Sequence, residues 1–342
     1  MDEKIRNNLQ DDAIKRASNH FDEAEKVNQA MKKHFEQALK EIQKQITDFY
    51  MRYASESGTS YTEAQKLLSK VEIKGFRADL EKYADAIING EDAELIARLN
   101  AVSIKERITR LEALQTELLM ECAKLGFVEQ DMLAKHLGQT YELNYYQSIF
   151  QVQHALGWGV SFATLDATAI REAIMFPWSG SNFSELIWNN RSKLVMELKN
   201  TVTQGLIQGS SIQMMANRIS KAMDNSYQNS LRLVRTETAQ VVNRSTIEGY
   251  RESGVVEKLE FLAVLDGSTS NICKEIALSS DRIFGIDEAK VGVNVPPLHP
   301  NCRSAIAPYF GEDDDVEKPK GAFGVQKDET FDDWRSKHTN EN

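Results

Sequence analysis

The first 176 residues of this 342-residue chain contain no proline. Proline lacks an N–H and clashes with the preceding helical turn, so its absence leaves this half open to long helices. All six prolines follow, and Pro296, Pro297, Pro300 and Pro308 crowd together. Cysteine is as scarce: Cys122, Cys273 and Cys302 are too few, and odd in number, for a disulfide framework. No apolar run nears the ~20 residues that cross a bilayer. The opening Met1-Asp2-Glu3-Lys4 has no apolar signal core. Basic excess is missing too. The net charge of −10 argues against a protein whose main task is gripping nucleic-acid phosphates. What remains is an ordinary globular composition, 41% hydrophobic and 27% charged, long enough to bury a large core and two domains in size. The expectation is a soluble protein made in a reducing cytoplasm, without membrane contact.

The strongest pattern is a heptad. Ile14, Phe21, Asn28, Phe35, Ile42 and Phe49 form one stripe, and Ala17, Ala24, Met31 and Ala38 a second three residues later. This spacing predicts one long helix up to about Gly58, with Asn28 as a register-setting polar position and the stripe as a partner surface. Further helices are expected over 92–123, 129–155 (with a break at Gly126), 183–208, 211–223 and 227–253. A domain boundary is placed between Trp158 and Trp178. From Val256 the texture changes. Leu259, Phe261, Ala263 and Leu265 alternate with Glu260, Leu262, Val264 and Asp266, which predicts a strand ending in the Asp266-Gly267 turn. Short strands are expected at 291–295 and 304–307. The fold class is therefore mainly α: a helical region over 1–180, a smaller α+β domain over 181–310 with a short β-element, and an acidic flexible tail over 311–342. The tail is expected to carry a short docking element at Phe331–Trp334.

The densest chemistry is Cys273 followed by His299-Pro300-Asn301-Cys302-Arg303. Two thiolates and an imidazole suit zinc, with Asp266 or water as a fourth ligand. The same residues also fit a Cys273–Cys302 disulfide in an extracellular particle, or plain structural thiols beside a hydrogen-bonded histidine. A second group is Arg235-Thr236-Glu237 with Asn243 and Arg244. Arg235 shares its helix face with Ala239, Val242 and Thr246, so its charge needs a partner. Asp266 is the candidate, in a buried clamp between helix and strand; the alternative is a surface ion-pair network. An enzyme is the competing class. Asp266, Ser268, His299 and Arg235 can be drawn as a triad-like set, but no nucleophile-elbow glycines surround Ser268. An ADP-ribosyltransferase would pair Arg235 and Ser268-Thr269-Ser270 with a later Glu-x-Glu, and none follows residue 270. No phosphate-binding lysine loop or His-Glu-x-x-His occurs, so no catalytic residue is assigned.

Taken in order, Arg235-Thr236-Glu237, Asn243-Arg244, Gly254, Leu265-Asp266-Gly267-Ser268-Thr269-Ser270, Cys273 and Pro296-Pro297-Leu298-His299-Pro300-Asn301-Cys302-Arg303 resemble the phage Mu protein F-like head-morphogenesis domain. The resemblance covers about 190–310, and Arg235, Glu237, Asp266 and Arg303 are its structural motif positions. It implies a minor head (capsid) protein of a tailed bacteriophage or prophage. Such a protein sits at the portal vertex, contacts other head proteins and packaged DNA, and belongs to the virion after assembly in the host cytoplasm. No enzymatic activity is implied. Some relatives of this kind carry appended toxin domains; only ~32 residues follow Phe310, below the ~50 of a small domain, so none is expected here. The alternative function is a metal-assisted hydrolase or ADP-ribosyltransferase-like enzyme acting between phage and host.

Overall fold

The computed structural model describes residues 3–57, 110–208, 210–263, 269–311 and 316–339. Within them are seven α-helices: α1 (Glu3–Ser57), α2 (Arg110–Leu156), α3 (Ala167–Ile174), α4 (Phe183–Gln208), α5 (Ile212–Glu252), α6 (Asn271–Leu278) and α7 (Phe331–Thr339). Five short strands accompany them: β1 (Trp158–Gly159), β2 (Lys258–Leu262), β3 (Ile283–Gly285), β4 (Ala305–Tyr309) and β5 (Phe323–Gly324). The mainly α reading with a small C-terminal α+β part holds. The expected helix segment at 92–109 and the turn residues Asp266, Gly267 and Ser268 lie outside the described residues.

The chain divides into two compact units that cut across the domain boundaries read from the sequence. One comprises Met1–Val27, Leu133–Asn182 and Arg232–Asn342; the other comprises Asn28–Met132 and Phe183–Leu231. The reason is helix length: α1, α2 and α5 each contribute residues to both units.

In the second unit, apolar stripes do the packing. Met31, Phe35, Ala38, Ile42, Ile46 and Phe49 of α1 are buried, as are Leu118, Leu119 and Leu125 of α2 and Leu194, Val195 and Leu198 of α4. Gly126 does not break α2. It is a packing glycine: a Cβ there would lie 2.9 Å from the Trp188 ring and 3.0 Å from Arg191. Arg191 and Glu129 form an ion pair at 3.0 Å with both side chains fully buried. Arg191 also donates to Ser230 at 3.1 Å and lies 4.7 Å over the Phe35 ring. The expected break near Met223 is likewise absent. The Ser226 carbonyl, which a loop would expose, accepts from Asn190 at 3.0 Å while α5 runs on.

The first unit holds the sheet, ordered β3-β2-β4 and antiparallel throughout. Phe261 pairs with Ile306, and Leu259 sits between Phe284 and Pro308. Pro308 is tolerated because β4 is an edge strand. The alternation in β2 is real, but its polar face is covered as well: Glu260 is buried and bonded by Gln10 at 2.6 Å and Arg282 at 3.0 Å. Leu9 of α1, Val152 of α2 and Tyr250 of α5 close over Leu259, Phe261, Phe284 and Ile306 as one core. The expected strand at 291–295 is only a single bridge, Val291 to Val295.

Two sequence expectations change. The heptad stripe is not a free partner surface, because most of it is buried in the chain's own core; at its start Ile14 is exposed and Phe21 half-buried. The C-terminal segment is not a loose tail over 316–339. β5 pairs with β1, and α7 inserts Trp334, with no exposed surface, among Tyr145, Tyr146, Ile149 and Val325. Phe162 stacks on Trp334 at 5.2 Å, and Arg335 pairs with Glu142 at 2.6 Å.

Candidate functional site

Every described member of the sequence motif falls in the first unit. Cys273 sits in the first turn of α6, whose start is capped by Ser270: its hydroxyl accepts the Cys273 amide at 3.2 Å. His299 and Cys302 lie in a tight turn closed by the Cys302 amide donating to the His299 carbonyl at 3.2 Å. Asn301, at φ 59°, takes the left-handed position of that turn, which asparagine tolerates better than branched residues. Its amide donates to the Thr236 hydroxyl of α5 at 3.2 Å.

These elements bring Cys273, His299 and Cys302 together. The Cys273 sulfur lies 3.2 Å from His299 Nε2 and 3.7 Å from the Cys302 sulfur, and the three ligand atoms all fall within 4.8 Å of one another. Both cysteines are buried and free, so no disulfide joins them. The other imidazole nitrogen, Nδ1, lies 2.9 Å from the Pro300 carbonyl oxygen. Burial pushes the Cys302 thiol up; backbone hydrogen bonds from Leu298 and Ser304 pull it down, and the neighbouring Cys273 adds to the rise. A cavity of about 20 Å³ adjoins the cluster, lined by Thr269, Ser270, Asn301 and Arg303 among others. Arg303 is exposed there.

The Arg-Thr-Glu residues of α5 each have a partner. Arg235 makes a two-pronged contact with Glu25 of α1, Nε to Oε1 at 2.5 Å and Nη2 to Oε2 at 3.0 Å. Asp266, the partner expected from the sequence, lies outside the described residues; the Arg235–Glu25 pair is part-exposed. Sequence reasoning missed Glu25 because nothing local marks it; it lies 210 residues away. Glu237 is buried, and its two carboxylate oxygens accept from Trp178 Nε1 at 3.2 Å each. Burial drives its pKa up from 4.5 to about 7, and the indole hydrogen bond only partly offsets this. Asn243 donates to the Ser304 carbonyl at 3.4 Å, next to the cysteine turn. Arg244 pairs with Glu248 and donates to the Ala173 carbonyl, both at 3.1 Å.

Beside this cluster is a cavity of about 560 Å³. Ile14, Phe21 and Glu25 of α1 line one part, and Arg235, Cys302 and Arg303 another. Its walls account for the incomplete burial of Ile14 and Phe21. Of the triad-like set, Asp266 and Ser268 lie outside the described residues. Arg235 is engaged by Glu25, and His299 faces sulfur rather than a hydroxyl or carboxylate. Among the described residues, the side-chain contacts of His299 are to the Cys273 sulfur and the Pro300 carbonyl. Among them, no helix is long and apolar enough to cross a membrane.

Residues 196–307 match the family model described as Phage Mu protein F like protein. The chain is also 20% identical over 272 residues to NAD(+)--arginine ADP-ribosyltransferase EFV of Enterococcus faecalis (strain ATCC 700802 / V583). That match covers 74% of the chain but 53% of the relative, so the chain spans about half the relative's length. No solved structure matches the chain.

Proposed function

We propose, with residues 196–307 as a Phage Mu protein F-like region, that this chain is a minor head protein of a tailed bacteriophage or prophage. It acts in head morphogenesis, associates with the portal vertex and remains in the virion. Besides that match, the observation that carries this reading is what the motif side chains do. Arg235, Thr236, Glu237, Asn243 and Arg244 each make a polar contact within the chain, to Glu25, Asn301, Trp178, Ser304 and Ala173 in turn. These contacts tie α5 to α1, to the 175–182 connection and to the cysteine turn. A motif used this way holds a module in shape, and a structural protein needs that more than it needs a reactive group.

Family resemblance is what supports portal contact. The buried stripe of α1 is occupied by the chain's own core, so a partner meets this helix on its polar face. Removing residues 1–60 would delete Leu9 and Arg16 from the first unit's interior and Glu25 from its pair with Arg235, and lost binding would then report misfolding. The better test co-expresses the full chain with the portal protein from the same genome and asks whether the two co-purify. Co-purification that survives Glu237→Gln is expected; a chain that never co-purifies with the portal overturns the assignment.

A second reading comes from the ADP-ribosyltransferase relative. It predicts transfer from NAD to arginine by the purified chain. Against it stands the absence of a Glu-x-Glu between residues 271 and 342, the side of Ser268-Thr269-Ser270 on which that pattern places its carboxylates. The expected result is no label on polyarginine.

A further inference from the structure

From the Cys273–His299–Cys302 geometry we propose that this chain binds one zinc ion, with these three side chains as protein ligands and a water completing the four. Three observations point the same way. Two sulfurs that share a tetrahedral zinc, each about 2.3 Å from the metal, stand about 3.8 Å apart; here they are 3.7 Å apart. His299 turns Nε2 to the sulfurs, while Nδ1 faces the Pro300 carbonyl at 2.9 Å. An Nδ1–H donated to that carbonyl leaves the Nε2 lone pair for a metal, the arrangement that orients ligating histidines generally. Finally, the 20 Å³ cavity at the cluster has room for about one water-sized guest.

The charge balance also favours the assignment. Zinc brings two positive charges, and coordination releases one proton from each thiol, so the metal with two thiolates and a neutral imidazole carries no net charge. A neutral unit can sit beside the buried core of Phe261 and Ile306, where an unpaired thiolate could not. The ion would join the start of α6 to the turn before β4, two elements 26 residues apart in the chain. This inference does not depend on the head-protein reading. A zinc-free protein found in virions, or a zinc-loaded one absent from them, would separate the two.

The test measures zinc on the full chain purified under reducing conditions without chelator. About one zinc per chain is expected, falling at least about tenfold in Cys273→Ser and in Cys302→Ser and staying level in Cys122→Ala. Because the serine variants risk misfolding, the metal-stripped wild-type chain is also titrated with cobalt(II). Intense visible bands with a thiolate-to-cobalt charge-transfer absorption are expected from a tetrahedral sulfur site. A chain that takes up neither zinc nor cobalt overturns the site. So does a weak octahedral cobalt spectrum, or zinc that persists in Cys273→Ser.

Discussion

The two compact units solve the same problem with different materials. The second packs leucine, isoleucine and phenylalanine stripes around one buried ion pair, Arg191–Glu129. The first buries an unusual amount of polarity where α2, α5 and the sheet meet. Asn144 alone donates to the Val242 carbonyl and the Ser245 and Thr246 hydroxyls at 2.8–2.9 Å. Arg16 bonds Gln151 and also Tyr250, the latter at 3.1 Å. Gly249 lets the helices close: a Cβ there would lie 2.6 Å from the Tyr145 carbonyl oxygen. Apolar stripes tolerate exchange of similar shapes, whereas a polar network fixes partners one by one. Among the motif residues, Glu237 and Asn243 lie in the second kind of interior.

The sharpest way to break this contrast is to remove one anchor from each unit. Trp334→Ala in the first unit and Arg191→Met in the second should each cost about 3–5 kcal/mol, the first as a cavity and the second as an unpaired buried charge. Urea unfolding measures both. Adding Glu129→Leu to Arg191→Met should recover most of the loss, because no charge is then left unpaired. If the double variant is as unstable as the single, the second unit depends on its polar contact as the first does, and the contrast fails.

Next in size is Glu237. Its folded pKa of about 7 lies above 4.5, so the folded chain holds this proton more tightly than the unfolded chain. Stability from this group therefore falls as pH rises from about 4.5 to about 7 and is level above. Glu237→Gln removes the effect and should gain on the wild type by up to about 3 kcal/mol at pH 8 and by nothing at pH 4. His20 and His136 act in the opposite sense. Burial lowers each from 6.5 to about 4, so their share of stability is lost as pH falls through that interval. Thermal unfolding from pH 4 to 8, wild type against Glu237→Gln, separates the two; parallel curves would mean that Glu237 is not buried as a carboxyl.

Smaller effects complete the comparison. Thr236→Val removes the acceptor for the Asn301 amide and should cost about 1 kcal/mol. Arg235→Ala should cost less than about 1 kcal/mol, because the Glu25 pair is part-exposed despite its two-pronged geometry. A loss well above that would place Arg235 among the true anchors.

How far the sequence could be read follows the same division. The second unit's helices were legible from period, since Phe35, Ile42 and Phe49 are buried as the heptad requires. The two false breaks arose because glycine and small polar residues mark both loops and close helix contacts, and only a facing Trp188 distinguishes them. In the first unit, nothing local marks Asn144 and Ser245 as buried, because hydroxyls and amides usually face solvent; their burial depends on partners about 100 residues away. Trp334 was legible as part of a docking element at Phe331–Trp334, while the aromatics that bury its ring appeared only with the fold. The Cys273, His299 and Cys302 cluster was legible as chemistry, while Glu25 and Trp178 appeared only with the fold.

The central claim, a motif that shapes a head protein rather than a catalyst, is tested most directly by quantitative mass spectrometry of purified, DNA-filled particles from the parent phage. The account predicts a few copies per head, near the number of portal subunits. Complete absence from finished particles would contradict it.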